Sequence, residues 1–277
     1  MPLAALAAAA AWAYFDTLQA LAIRWSNEAA YGHGFLVPCF SVFLLWYRRD
    51  MLVPPYTAST VGLIFIGLAA AMRLVAAYWY YALLEPYSIV PMAAGVCLLT
   101  LGYRGLQWAW PSIVFLTFMV PLPGRIADIL SDPLQRIATI ASTYVIQLLG
   151  IPALAEGNVI VLTHAKIGVI EACNGLRMLI LFFAVAAGAA MILRGPAWLR
   201  WTLFASAVPI ALAANILRIA ATALAHEYAS TTTADWLFHD VAAWLMMPLA
   251  ILMLLLEVAF LNCAFPDRQL QGPVVTD

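Results

Sequence analysis

"IEACNGLRMLILFFAVAAGAAMIL", residues 170–193, sets a glutamate, a cysteine, an asparagine and an arginine against one long apolar run. The run approaches the roughly 20 apolar residues that cross a ~30 Å hydrocarbon core. It therefore reads as a membrane helix whose N-terminal mouth carries polar chemistry. An aromatic or a single basic anchor is the commoner way to start such a helix.

The rest of the chain has the same solvent. Apolar residues make up 65% of it, charged residues only 10%, and mean hydropathy is +0.94. These values exclude an ordinary soluble domain. A net charge of -1 gives no case for a nucleic-acid partner. The apolar runs predict spans near 3–22, 34–47, 58–76, 83–101, 107–122, 176–193, 201–225 and 238–265. The stretch "MPLAALAAAAAWAYF" lacks a basic segment and reads as a weak first span rather than a cleaved signal. The fold class is thus an all-α polytopic membrane protein of about eight helices, as one domain over 1–277.

Between the fifth and sixth runs lies a more polar interval, 123–175. Asp128, Asp132, Gln135 and Arg136 interrupt an apolar face, so the spacing predicts an interfacial helix near 133–151. With that helix lying flat, Arg48, Arg49, Arg104, Arg194, Arg200 and Arg268 all fall on the cytoplasmic side. The segments "NVIVL" and "KIGVI" around "THA" predict a short β-like hairpin on the outer face. Arg73 reads as an anchor whose charged head reaches the interface.

This topology brings three reactive side chains to one depth. Cys173 opens the sixth span at the outer face. Arg218 lies about 26 Å above the inner start of the seventh at Trp201, and His239 opens the last. A cysteine at a helix N-terminus beside a cation is a favourable nucleophile. A histidine can serve as base and then acid, and an arginine can hold an oxyanion or the substrate. Asn215 shares the face of Arg218 one turn away. Glu171 could orient His239 or bind an amine. His33, His164 and His226 also face outward, so depth alone does not single out the base. Cys39, Cys97 and Cys263 sit in apolar runs with no metal-ligand spacing, so neither a disulfide framework nor a metal site is expected.

The stretch "IEACNGLR" resembles the nucleophile motif of the exosortase/archaeosortase family. "YGHGFLVP" (31–38), "MVPLP" (119–123), "AEGNVIVL" (155–162) and "NILRI" (215–219) resemble further motifs of that family in the same order, over about 28–245. Asn174 stands where the commonest family form has serine. The resemblance implies a membrane-embedded cysteine protease-transpeptidase with Cys173, Arg218 and His239 as catalytic residues. Glu171, Asn174, Arg177, Asn215 and His33 would support them or bind substrate. No cofactor is implied. The implied partners are exported proteins with a C-terminal hydrophobic sorting tail of the Pro-Glu-Pro type, the lipid bilayer, and an envelope acceptor. The implied setting is the bacterial cytoplasmic (inner) membrane, with the active site on its outer, periplasmic face. The same residues would serve a protease that only hydrolyses. A transporter or non-catalytic subunit is a further reading, and the sequence lacks the duplicated halves it predicts.

Overall fold

The computed structural model describes residues 2–52, 54–81, 83–163, 166–168, 175–193, 195–228 and 242–265. It is mostly helical with one small sheet, and its contacts divide it into two units, Met1–Pro123 and Gly124–Asp277. By length and composition, three described stretches can cross a membrane: Val61–Tyr78, Leu84–Met119 and Ala197–Tyr228. A fourth qualifies if Leu3–Ala13 and Phe15–Asn27, bent by 63°, are taken as one span. Among the described residues, Tyr31–Tyr47, Leu179–Ile192 and Ile251–Ala264 are shorter apolar stretches, the last two belonging to helices of 18 and 23 residues.

In the first unit, α1 (Pro2–Ala13) and α2 (Phe15–Asn27) meet at Tyr14, followed by α3 (Leu36–Tyr47), α4 (Val61–Tyr78), the short α5 (Leu84–Tyr87) and α6 (Ile89–Phe115). The α1–α2 bend is tied down by charge. Arg73 on α4 donates to the carbonyl of Ala13, the last residue of α1, at 2.9 Å and pairs with Glu85 at 3.1 Å. Its guanidinium lies 4.5 Å from the Tyr14 ring centroid. Thr17 on α2 also donates to Glu85, at 2.8 Å. Arg73 is thus a tertiary fastener that satisfies an orphan helix-end carbonyl, and the sequence-based view of it as an interface anchor is corrected.

A loop is expected between spans at 83–101 and 107–122; the two helical stretches instead meet directly at Gly102, whose non-helical φ 68 and ψ -158 break α6 there. Gly102 has φ 68, and a β-carbon there would overlap the carbonyl oxygen of Thr57. Above the bend, Pro111 cannot donate to Gln107, four residues back. Arg48, at the end of α3, fills that gap, with Nη2 donating to the Gln107 carbonyl and Nε to that of Trp108, each at 3.1 Å. Trp108 Nε1 returns a bond to Leu45 at 3.0 Å. Arg48→Ala is therefore expected to cost about 1–3 kcal/mol, read as a lower thermal midpoint in one fixed detergent. Lysine, which cannot fork onto two carbonyls, restores only part of it.

The second unit begins with α7, Gly124–Leu148, which runs through Pro133 and is longer than the predicted 133–151 helix. It is amphipathic in the sense of a membrane protein. Gln135, Thr139, Ser142 and Thr143 are buried, while Ile129, Ile137, Ile140 and Leu148 are exposed. The buried polar side is stitched by Gln135 Nε2 to Ser131 Oγ at 2.6 Å, Thr139 Oγ1 to the Gln135 carbonyl and Thr143 Oγ1 to the Thr139 carbonyl, both at 2.8 Å. An apolar exterior around a bonded polar interior suits lipid rather than water as the solvent.

The expected hairpin is present and belongs to a three-stranded antiparallel sheet: β1 (Ala153–Glu156), β2 (Val159–Leu162) and β3 (Lys166–Gly168). β2 and β3 pair with Ile160 opposite Ile167. Ile160, Leu162 and Ile167 turn inward onto Ala138 and Ile146 of α7 and onto Ile219. Asn158 Nδ2, in the β1–β2 turn, donates to Gln135 Oε1 at 3.0 Å and fastens the sheet to α7. The remaining helices are α8 (Gly175–Ile192), α9 (Ala197–Ala205), α10 (Ala207–Tyr228) and α11 (Ala242–Ala264). Ser206 keeps helical geometry between α9 and α10 and donates to Glu257 of α11 at 2.6 Å. Of the free cysteines described, Cys97 is buried, whereas Cys39 and Cys263 are exposed.

Candidate active site

The sequence-predicted site residues divide between described and undescribed parts of the chain. Glu171, Cys173, Asn174 and His239 lie outside the described residues, as does His164. Arg177 falls within α8. Asn215, Arg218 and His226 lie on α10, and His33 belongs to the first unit.

Helix α10 carries the described half of the candidate site. Asn215, Arg218 and Thr222 recur at three- and four-residue intervals and so share one face. Asn215 is only 2% exposed, and Arg218 Nε is buried. Thr222 Oγ1 donates to the Arg218 carbonyl at 2.8 Å. Alongside, Ala207, Ala211 and Ala214 are buried, which lets α10 lie close to its neighbours. A polar file embedded among alanines is costly in a membrane unless it serves a purpose.

Chain connectivity sets the level of this file. α8 packs along both α9 and α10 and joins α9 through residues 193–196, so the pair forms an antiparallel hairpin. α8 has 18 residues. The same length counted forward from Ala197 ends at Ala214. Asn215 and Arg218 therefore stand within about one helical turn of the level at which α8 begins. The chain enters α8 two residues after Cys173, and it enters α11, which packs on α10, three residues after His239.

In the first unit, the two early motifs meet. His33 Nε2 lies 3.2 Å from the Phe118 carbonyl, and Trp25 Nε1 donates to the Met119 carbonyl at 2.9 Å. Tyr31 reaches the backbone of Leu122. These side chains satisfy a stretch that leaves helical geometry at Val120 and includes two prolines, backbone that an apolar setting would otherwise leave unpaired. Gly34 is required beside them, because a β-carbon there would overlap the Trp25 indole. "YGHGFLVP" and "MVPLP" are thus the two halves of one clamp.

A family model described as transmembrane exosortase matches residues 25–256. The chain belongs to the transmembrane exosortase family. No curated protein and no solved structure matches it. Exosortases are cysteine-type sorting proteases or transpeptidases of the membrane, and family membership together with the apolar helices makes this a multi-pass membrane protein. Sequence reasoning overlooked the buried polar side of α7, although "SDPLQRIATIAST" displays it as hydroxyl and amide residues at four-residue spacing. It also took Arg48 only as a topology marker and not as the partner of a proline gap.

Proposed function

We propose that this exosortase cleaves C-terminal sorting tails of exported proteins through a thioester on Cys173 and transfers the acyl group to a cell-envelope acceptor. The observation that carries the reading is the level of Arg218, within about one turn of the start of α8, where the chain arrives from Cys173. Arg218 then stabilises the oxyanion as the thiolate attacks the scissile carbonyl. His239 takes the thiol proton and gives it to the leaving amine, and later activates the acceptor nucleophile that displaces Cys173. Glu171, Asn174 and Arg177 support this chemistry from the approach to α8 and its first turn. Within the first unit, His33 holds the Phe118 carbonyl. The site works at the outer face of the bacterial inner membrane, where a tail consisting of a Pro-Glu-Pro motif, a hydrophobic span and basic residues presents its cut site. The family match covers both units, which supports treating 1–277 as one functional domain.

The test is the mass of an exported reporter carrying such a tail from the same genome, expressed with and without the protein. Loss of the tail with an added group on the new C-terminus is the expected product. A free carboxylate at that position would mean hydrolysis, and an intact reporter in both strains would remove the protease reading.

A further inference from the structure

Every buried polar side chain along the seam of α7 and α10 can be asked where its hydrogen bonds go. Gln135, Thr139, Thr143 and Thr222 all have partners, three of them through hydroxyls that bond the carbonyl one turn back. Asn215, only 2% exposed, has an Oδ1 that is buried with no hydrogen-bond partner among the described residues. Ser142, fully buried on α7, is the other exception. It stands one turn from both Ala138 and Ile146, which pack in the same cluster as Ile219 of α10. The unsatisfied Asn215 Oδ1 marks a place where a hydrogen-bond donor is missing, since an unmade buried hydrogen bond is destabilising and natural structures rarely keep one without use.

The chemistry of the missing group follows from the residue. The Oδ1 of a carboxamide is an acceptor, and the donor that a polypeptide main chain offers it is a peptide N–H. Helical or lipid ligands have no free peptide groups to offer. An extended polypeptide at membrane depth does, and it must satisfy them on protein. Asn215 lies one turn from Arg218 on the same face. We infer that Asn215 binds a backbone peptide group of the substrate next to the scissile bond, holding the extended tail so that its carbonyl meets Arg218. This rests on the proposed function, and it assigns Asn215 to recognition of main chain, which makes the contact independent of the substrate's side chains.

The test uses the full chain in nanodiscs and a set of synthetic tails in which each backbone amide near the cut is replaced in turn by an ester, removing one N–H. In the wild type, one ester position is expected to lower kcat/KM about tenfold. Asn215→Leu, which keeps the branching at Cγ and removes the polar atoms, is expected to lose about tenfold on the all-amide tail and to show no further loss at that position. Its thermal midpoint should be equal or higher, because an orphaned polar group has been removed. A merely structural asparagine predicts the reverse, a lower midpoint. Parallel ester profiles in the two proteins, or wild-type cleavage by Asn215→Leu, would overturn the inference and leave a buried water as the partner of Asn215. Absence of any Cys173-dependent cut would instead end the parent reading, and this one with it.

Discussion

Under the proposed function, replacing Cys173 with alanine is expected to abolish tail cleavage, lowering kcat/KM by roughly 10⁴–10⁶-fold, with insertion and folding expected to match the wild type. Removing a covalent nucleophile eliminates the two-step route, and what remains is binding and oxyanion stabilisation. Serine in its place recovers little. A hydroxyl is far less acidic than a thiol, and a helix N-terminus with nearby cations activates a thiolate much more readily. The described cysteines provide the internal control. Cys97 is buried, and Cys39 and Cys263 are exposed on other helices, so Cys39→Ala and Cys263→Ala should leave the rate unchanged. The measurement is steady-state cleavage of a tail peptide by purified protein, with intact mass and unfolding midpoint recorded for each variant.

The second large effect falls in the first unit. Gly102→Val should prevent the first unit from reaching its native state, read as loss of monodisperse protein on size exclusion and of a cooperative melt. Two costs combine there. Gly102 has φ 68, which a β-branched residue adopts only with strain of order 1–3 kcal/mol. A β-carbon would also overlap the backbone oxygen of Thr57, a neighbour unable to swing aside. The bend in α6 would have to straighten or Thr57 would have to leave. Either change disturbs the packing of α4 on α6, where Gly62 and Gly95 already approach so closely that a β-carbon on Gly62 would lie 2.6 Å from the Gly95 carbonyl oxygen. A native melt for Gly102→Val would mean that the bend is not required.

The parts of the fold that local pattern governs are the parts that the sequence makes legible. "NVIVL" and "KIGVI" are β-branched runs, and they pair as β2 and β3. β1 is "ALAE", whose residues favour helix, and only its pairing with β2 makes it a strand. The break in α6 at Gly102 falls at the end of the predicted 83–101 span, whereas the Thr57 carbonyl that fits against Gly102 lies far away in sequence. Arg73 and Arg48 both resemble interface anchors when counted along the chain. Their partners, Glu85 with the Ala13 carbonyl and the proline gap at Gln107, are long-range and carry no sequence signature.

The candidate site shows the same division. That Asn215 and Arg218 share a face follows from helical spacing, and the hairpin of α8 with α9 and α10 adds the level at which they stand. His33 was legible as a motif residue but not as a clamp, because its contact with the Phe118 carbonyl crosses most of the first unit in sequence. Likewise, nothing in "NILRI" announces that the asparagine Oδ1 is buried with no hydrogen-bond partner among the described residues. That property belongs to the packed helix and its neighbours, and it is what turns a neighbour of Arg218 into a proposed contact with substrate.

The most direct test of the account is to trap the acyl-enzyme. Purified protein in nanodiscs is mixed with a tail peptide, quenched in acid within the first turnover, and its peptides are mapped by mass spectrometry with and without hydroxylamine. The account predicts an adduct with the mass of the substrate's N-terminal fragment on the peptide containing Cys173, lost on hydroxylamine treatment and absent from Cys173→Ala. Cleaved substrate with no adduct at any time, or an adduct carried by Cys39, Cys97 or Cys263, would contradict it.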